Sequence, residues 1–84
     1  MRLAVASPSG TPLPVEFELG SDTEARLDLF DIAGRRVESV RLPGGTVRGS
    51  SRLEAAALRP GVYLVVLSHN GARVAKRVVI SRVE

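Results

Sequence analysis

The stretch Val62-Tyr63-Leu64-Val65-Val66-Leu67-Ser68-His69-Asn70-Gly71 decides the fold class. Its first part is an unbroken apolar run, rich in β-branched residues and short enough for a strand. The Asn-Gly that follows is the strongest short-range hairpin signal, because a two-residue turn of the favoured hand needs positive φ at both central positions. A returning strand is therefore expected next. Residues 73–80 supply it, alternating through Val74, Lys76, Val78 and Ile80 until Val79 breaks the pattern.

Working towards the N-terminus, the same period-two pattern repeats between turn residues. Val15, Phe17 and Leu19 alternate with Glu16 and Glu18, and Ala25, Leu27 and Leu29 alternate with Arg26 and Asp28. A first strand is expected over residues 3–6. Thr11-Pro12-Leu13-Pro14 is expected to stay outside the sheets, since two prolines remove ladder donors. Asp31-Ile32-Ala33-Gly34-Arg35 reads as a tight connection, with the Asp31 carboxylate folded onto backbone N–H groups, Arg35 paired beside it and Gly34 at positive φ. Val37, Val40 and Leu42 form the returning strand, and the gap from 37 to 40 predicts a bulge. Pro43-Gly44-Gly45 and Gly49-Ser50-Ser51 bracket a loop, residues 52–56 a short strand, and Leu58 a core plug before Arg59-Pro60-Gly61.

About seven short strands in this order predict an all-β, immunoglobulin-like antiparallel sandwich, a single domain spanning residues 1–84. The expected core is Val15, Phe17, Leu19, Leu27, Leu29, Leu53, Leu58, Leu64, Val66 and Val78. On that parity Tyr63 faces outward, together with Phe30. The opposite parity of the apolar run must be covered or must form an apolar strip at the surface.

The net charge of +3 conceals an asymmetry. Up to Gly34 six acids face Arg2 and Arg26, whereas from Arg35 onward ten bases face Glu38, Glu54 and Glu84. This favours ion pairs between the halves and predicts a basic face. Eleven of the twelve bases are arginine, the better partner for carboxylate and phosphate. There is no cysteine, hence no disulfide framework or thiolate metal site. Met1-Arg2 is not followed by a signal-peptide h-region, so if the protein is exported its N-terminal signal lies elsewhere.

Catalytic chemistry finds little support. Nucleophilic catalysis needs a base beside the nucleophile and a group that orients the base. The one histidine, His69, is placed at a hairpin tip and reads as a solvated loop residue. Asp28 and Asp31, with Asp22 or Glu24, are too sparse for a dedicated calcium loop. No phosphate-cradling motif is present. With Phe17, Phe30 and Tyr63 as the only aromatics, stacking platforms for nucleic acid or sugars are lacking. The expectation is a non-enzymatic module without cofactor or metal that does not bind nucleic acid.

Three segments together resemble one known series: residues 27–37, with Asp31, Gly34 and Arg35 in a D-x-x-G-R turn; residues 58–65, with Gly61 and Tyr63 in L-x-x-G-x-Y; and Lys76-Arg77-Val78-Val79-Ile80. Their order and spacing are similar to the C-terminal sorting domain of type IX secretion substrates in the Bacteroidetes lineage, from about residue 7 to residue 80. Ser7-Pro8 stands where members commonly carry Asn-Pro. The resemblance implies an immunoglobulin-like module at the end of a larger secreted protein, often a hydrolase or protease, lying N-terminal in cis. It implies passage through the periplasm, recognition by an outer-membrane translocon, removal by sortase-like processing machinery, and anchoring of the cargo to anionic surface lipopolysaccharide. No catalytic residues come with it. The immunoglobulin-like domain of flagellar hook-capping scaffolds shares the D-x-x-G-R and G-x-Y features and is the competing reading; a carbohydrate-binding module is a third. The basic final strand close to Glu84 favours sorting.

Overall fold

The computed structural model describes residues 1–10, 12–21, 23–45, 47–54 and 59–82. Among them eight strands follow one another: β1 (Arg2–Val5), β2 (Ser9–Gly10), β3 (Leu13–Glu18), β4 (Ala25–Asp31), β5 (Arg36–Leu42), β6 (Arg48–Leu53), β7 (Gly61–His69) and β8 (Ala72–Arg82). They form a small sheet in the order β1-β3-β6 and a large sheet in the order β2-β8-β7-β4-β5. All pairings are antiparallel except the short contact of β2 with β8. The two sheets, mostly antiparallel, make an all-β sandwich with β7 and β3 as central strands.

Alternation places the core. Leu13, Val15 and Phe17 of β3 turn inward to meet Leu27 and Leu29 of β4, with Leu53, Val78 and Ile80 closing the interior. Each fully buried aliphatic side chain contributes about 1.5–3 kcal/mol, which a chain of 84 residues needs in full. The two expected tight turns are present. Asn70 and Gly71 have φ of 52° and 78°, joining β7 to β8 as the Asn-Gly signal requires. Between β4 and β5 the register shifts after Leu29, which pairs with Glu38 while Phe30 pairs with Arg36, so Val37 is the extra residue of the expected bulge. Ion pairs do join the two halves of the sequence: Arg36–Asp28, Arg41–Glu24 and Arg48–Glu18 each link a base of the second half to an acid of the first.

Three expectations are corrected. First, β7 faces the other way: Tyr63, Val65, Leu67 and His69 are buried, while Leu64 is 43% exposed and Val66 only half-buried. An all-apolar run carries no alternation of its own. Its facing follows the neighbouring β4, where Leu29 and Leu27 pair with Val65 and Leu67, and Asp28 and Arg26 pair with Val66 and Ser68. Second, Leu13 and Pro14 belong to β3. The β1 ladder reaches only to Val15, so at Pro14 the strand has a neighbour on one side alone, where a residue without N–H is tolerated. Third, the strand placed at 52–56 is β6, which starts at Arg48 and includes Gly49-Ser50-Ser51. These small residues oppose Phe17, Glu16 and Val15, so the ladder holds them although no apolar pattern announces it. Leu58, expected as a core plug, lies outside the described residues.

Candidate functional site

The D-x-x-G-R segment forms the β4–β5 connection, and the Asp31 carboxylate organises it. Its Oδ1 accepts the N–H groups of Ala33 at 3.0 Å and Arg35 at 2.9 Å, while Oδ2 accepts the Arg35 Nε–H at 2.9 Å. The Gly34 N–H donates to the Asp31 carbonyl at 3.0 Å, and Gly34 sits at φ 85°, where a side chain would be strained. The Arg35 backbone N–H, then the Arg35 guanidinium and the Ala33 N–H, hold the Asp31 carboxyl below its ordinary value against a smaller opposing effect of desolvation.

The L-x-x-G-x-Y segment forms the start of β7. The Tyr63 hydroxyl donates to the Arg59 carbonyl at 2.6 Å and accepts the Arg59 N–H at 3.2 Å. A buried tyrosine near the start of this strand, bonded to the backbone a few residues upstream, is the tyrosine corner of immunoglobulin-like sandwiches. That role explains why Tyr63 is inside and not outside as expected. Its hydroxyl could be buried only with a partner, and the turn ending at Gly61 supplies one.

Register brings these segments together. Asp31 pairs with Tyr63, Tyr63 with Val78, and Gly61 with Ile80. The turn at 31–35, the start of β7 and the end of β8 therefore make one end of the large sheet. Val78 and Ile80 are core residues there. Val79 faces outward and donates its N–H to Ser7 Oγ at 3.0 Å. Lys76 and Arg77 are both exposed, but successive residues of a strand point to opposite faces, so they do not form one patch.

The other end of the sandwich holds His69. It is buried beneath the β3–β4 connection and not solvated as expected, with Nε2 2.9 Å from Thr23 Oγ1 and 3.3 Å from Ser21 Oγ. Asn70 completes the cluster, donating to Ser21 and accepting from Thr23. Among the described residues the imidazole is held by hydroxyls and no carboxylate bonds to it. Nor is there a group of three or more His, Cys, Asp or Glu side chains suited to a metal among the described residues. Asp28 and Asp31 lie on opposite faces of β4.

Residues 7–81 match the family described as the Secretion system C-terminal sorting domain. The chain belongs to this family. The match covers all three motif segments, and the sorting domain builds from them a single corner of its fold. No curated protein matches the chain. A sorting domain of type IX secretion directs export to the cell surface or the medium. Sequence reasoning missed Asp28 as a buried group and the outward parity of β7. Ser68, polar and in phase with Leu64 and Val66, carries the signal for the latter.

Proposed function

We propose that the sorting domain is a non-catalytic export signal and surface-attachment module, read by the type IX outer-membrane translocon through its last strand. In this reading it follows a larger cargo such as a secreted hydrolase or protease, crosses the periplasm with it, and is removed by sortase-like machinery as the cargo is anchored to anionic lipopolysaccharide. The observation that carries the reading is the edge of β8. Among the described residues β2 pairs with it only at Ile80 and Arg82. The Val79 N–H points to Ser7, away from β7, so those of Arg77, Ala75 and Arg73 point to the same unpaired edge. Such an edge suits strand addition, with Lys76 and Arg77 favouring an acidic receptor groove. A carbohydrate-binding role loses support, because Phe17 and Tyr63 are buried and Phe30 half-buried, leaving no aromatic platform.

The test is export of a reporter fused to the domain in a type IX-competent host. The intact fusion is expected at the cell surface or in the medium. Lys76→Glu with Arg77→Glu is expected to remain in the periplasm, still folded, since exposed charges contribute little to stability. Unimpaired export of the reversed variant rejects the electrostatic role of β8. Failed export of the intact fusion rejects the sorting reading.

A further inference from the structure

The outer face of the large sheet combines an exposed apolar strip with rows of arginine. Along its centre Val62 is 37% and Leu64 43% exposed on β7, beside Val79 at 39% on β8. Cationic rows cross this strip. Phe30 pairs with Leu64 and Leu64 with Arg77, and across β4 Phe30 meets Arg36. Four residues along, Ser68 stands between Arg26 and Arg73. Arg73 and Arg77 have no ion-pair partner among the described residues.

Between those rows lies Asp28, only 6% exposed. Its Oδ1 has no hydrogen-bond donor. The nearest guanidinium nitrogens are 3.6 Å away on Arg26, facing Oδ2, and 3.9 Å away on Arg36, facing Oδ1. Both distances exceed a hydrogen bond. A buried carboxylate oxygen without a donor is costly, and here it opens onto a depression that Phe30, Val66 and Ser68 help to line.

We propose that this face docks an acidic segment of a partner protein, whose carboxylates meet the arginine rows across an apolar centre and whose backbone or side chain donates to Asp28. Arginine forks match carboxylates in paired hydrogen bonds. A second copy of the chain would set arginine rows against arginine rows. A lipid surface fits poorly, because no aromatic anchor projects from the strip and Asp28 opposes an anionic headgroup. The inference deepens the sorting reading by giving the chemistry of a partner. It depends on that reading for where the partner is met, not for whether the face binds.

The experiment titrates the whole chain into a fluorescent peptide of alternating glutamate and leucine with one central serine, followed by anisotropy at low and high salt. Saturable binding is expected, weakening as salt rises. Arg36→Glu with Arg73→Glu is expected to weaken it at least tenfold. Arg2→Glu with Arg52→Glu, the same charge change on the small sheet, is expected to leave it within twofold, and thermal melting verifies that both variants fold. Equal weakening by the two variants overturns the proposal in favour of unspecific charge. Absent peptide binding alongside capture by phosphatidylglycerol vesicles overturns it in favour of lipid, and self-association abolished by Leu64→Glu overturns it in favour of a second copy. Peptide binding by a domain whose intact fusion is not exported keeps the face and rejects sorting; export without peptide binding does the reverse.

Discussion

On the outside of the small sheet, Glu18 of β3 stands between Arg2 on β1 and Arg48 on β6, and Glu16 stands between Ala4 and Ser50. On the outside of the large sheet the corresponding central strand, β7, offers valines and leucine, with arginines on its neighbours. The small sheet carries charges of both signs and pairs two of them across strands, Arg48 and Glu18, 3.0 Å apart. On the large sheet Asp28 is sunk between Arg26 and Arg36 and Arg41 is met by Glu24, while Arg73 and Arg77 have no ion-pair partner among the described residues. Two faces with the same backbone geometry thus differ in what remains unsatisfied. The small sheet leaves exposed charges of both signs, and the large sheet leaves arginines beside an apolar strip.

The strongest way to break this comparison is to show that the large sheet's outer face is interior after all. Leu67→Ala and Leu64→Ala make the same deletion in one strand on opposite faces. Urea unfolding is expected to show a loss of about 3 kcal/mol for the buried Leu67 and below about 1 kcal/mol for Leu64. Equal losses would mean that β7 has no free face.

A smaller effect sharpens the account of the β4–β5 turn that delivers Arg36 to the basic face. The Asp31 carboxyl is held below its ordinary value, so its stabilising contribution is complete above the ordinary carboxylate range and fades as pH falls through the lowered value. Asp31→Asn is expected to be less stable at neutral pH and to show a flatter acid limb in thermal melting. An unchanged acid limb would show that the turn does not depend on the charge. The smallest effect belongs to the small sheet. Glu18→Gln with Arg48→Gln removes an exposed pair, and a change within about 0.5 kcal/mol is expected. A larger loss would show that this face is held by its charges.

The sequence discloses those parts of the fold where local chemistry and global position agree. Asn70-Gly71, the Asp31 turn and the Val37 bulge are each specified by residues within a few positions of one another. β3 and β4 are readable because acids and bases mark their outer positions. Where a side chain's role depends on a distant partner, the sequence is silent. Tyr63 is buried because Arg59 meets its hydroxyl, and His69 because residues 21 and 23 cross above it. β6 is held by its pairing with β3 and not by any apolar pattern. Of the candidate site, the motif residues are legible one by one, but their meeting at one end of the large sheet requires the register of three strands. The basic face follows from charge asymmetry in general terms. Its position does not, because it depends on the parity of the one strand whose composition hides it.

The pairing of β8 has a kinetic consequence. This strand supplies Val78 and Ile80 to the interior, closes the edge of β7, and reaches back to Ser7, 72 positions earlier, through the Val79 N–H. A chain growing from its N-terminus therefore has no closed sandwich to fall into until β8 has emerged. The β7–β8 hairpin is local and forms quickly, on a microsecond scale of about 1–10 μs. Closure onto β1 and β2 demands the longest loop in the molecule, and contacts so far apart in sequence make folding slow. Folding of this domain thus reports that β8 itself has been made. A chain released early would carry β7 with an open apolar edge, a form that proteases and chaperones distinguish from the finished one.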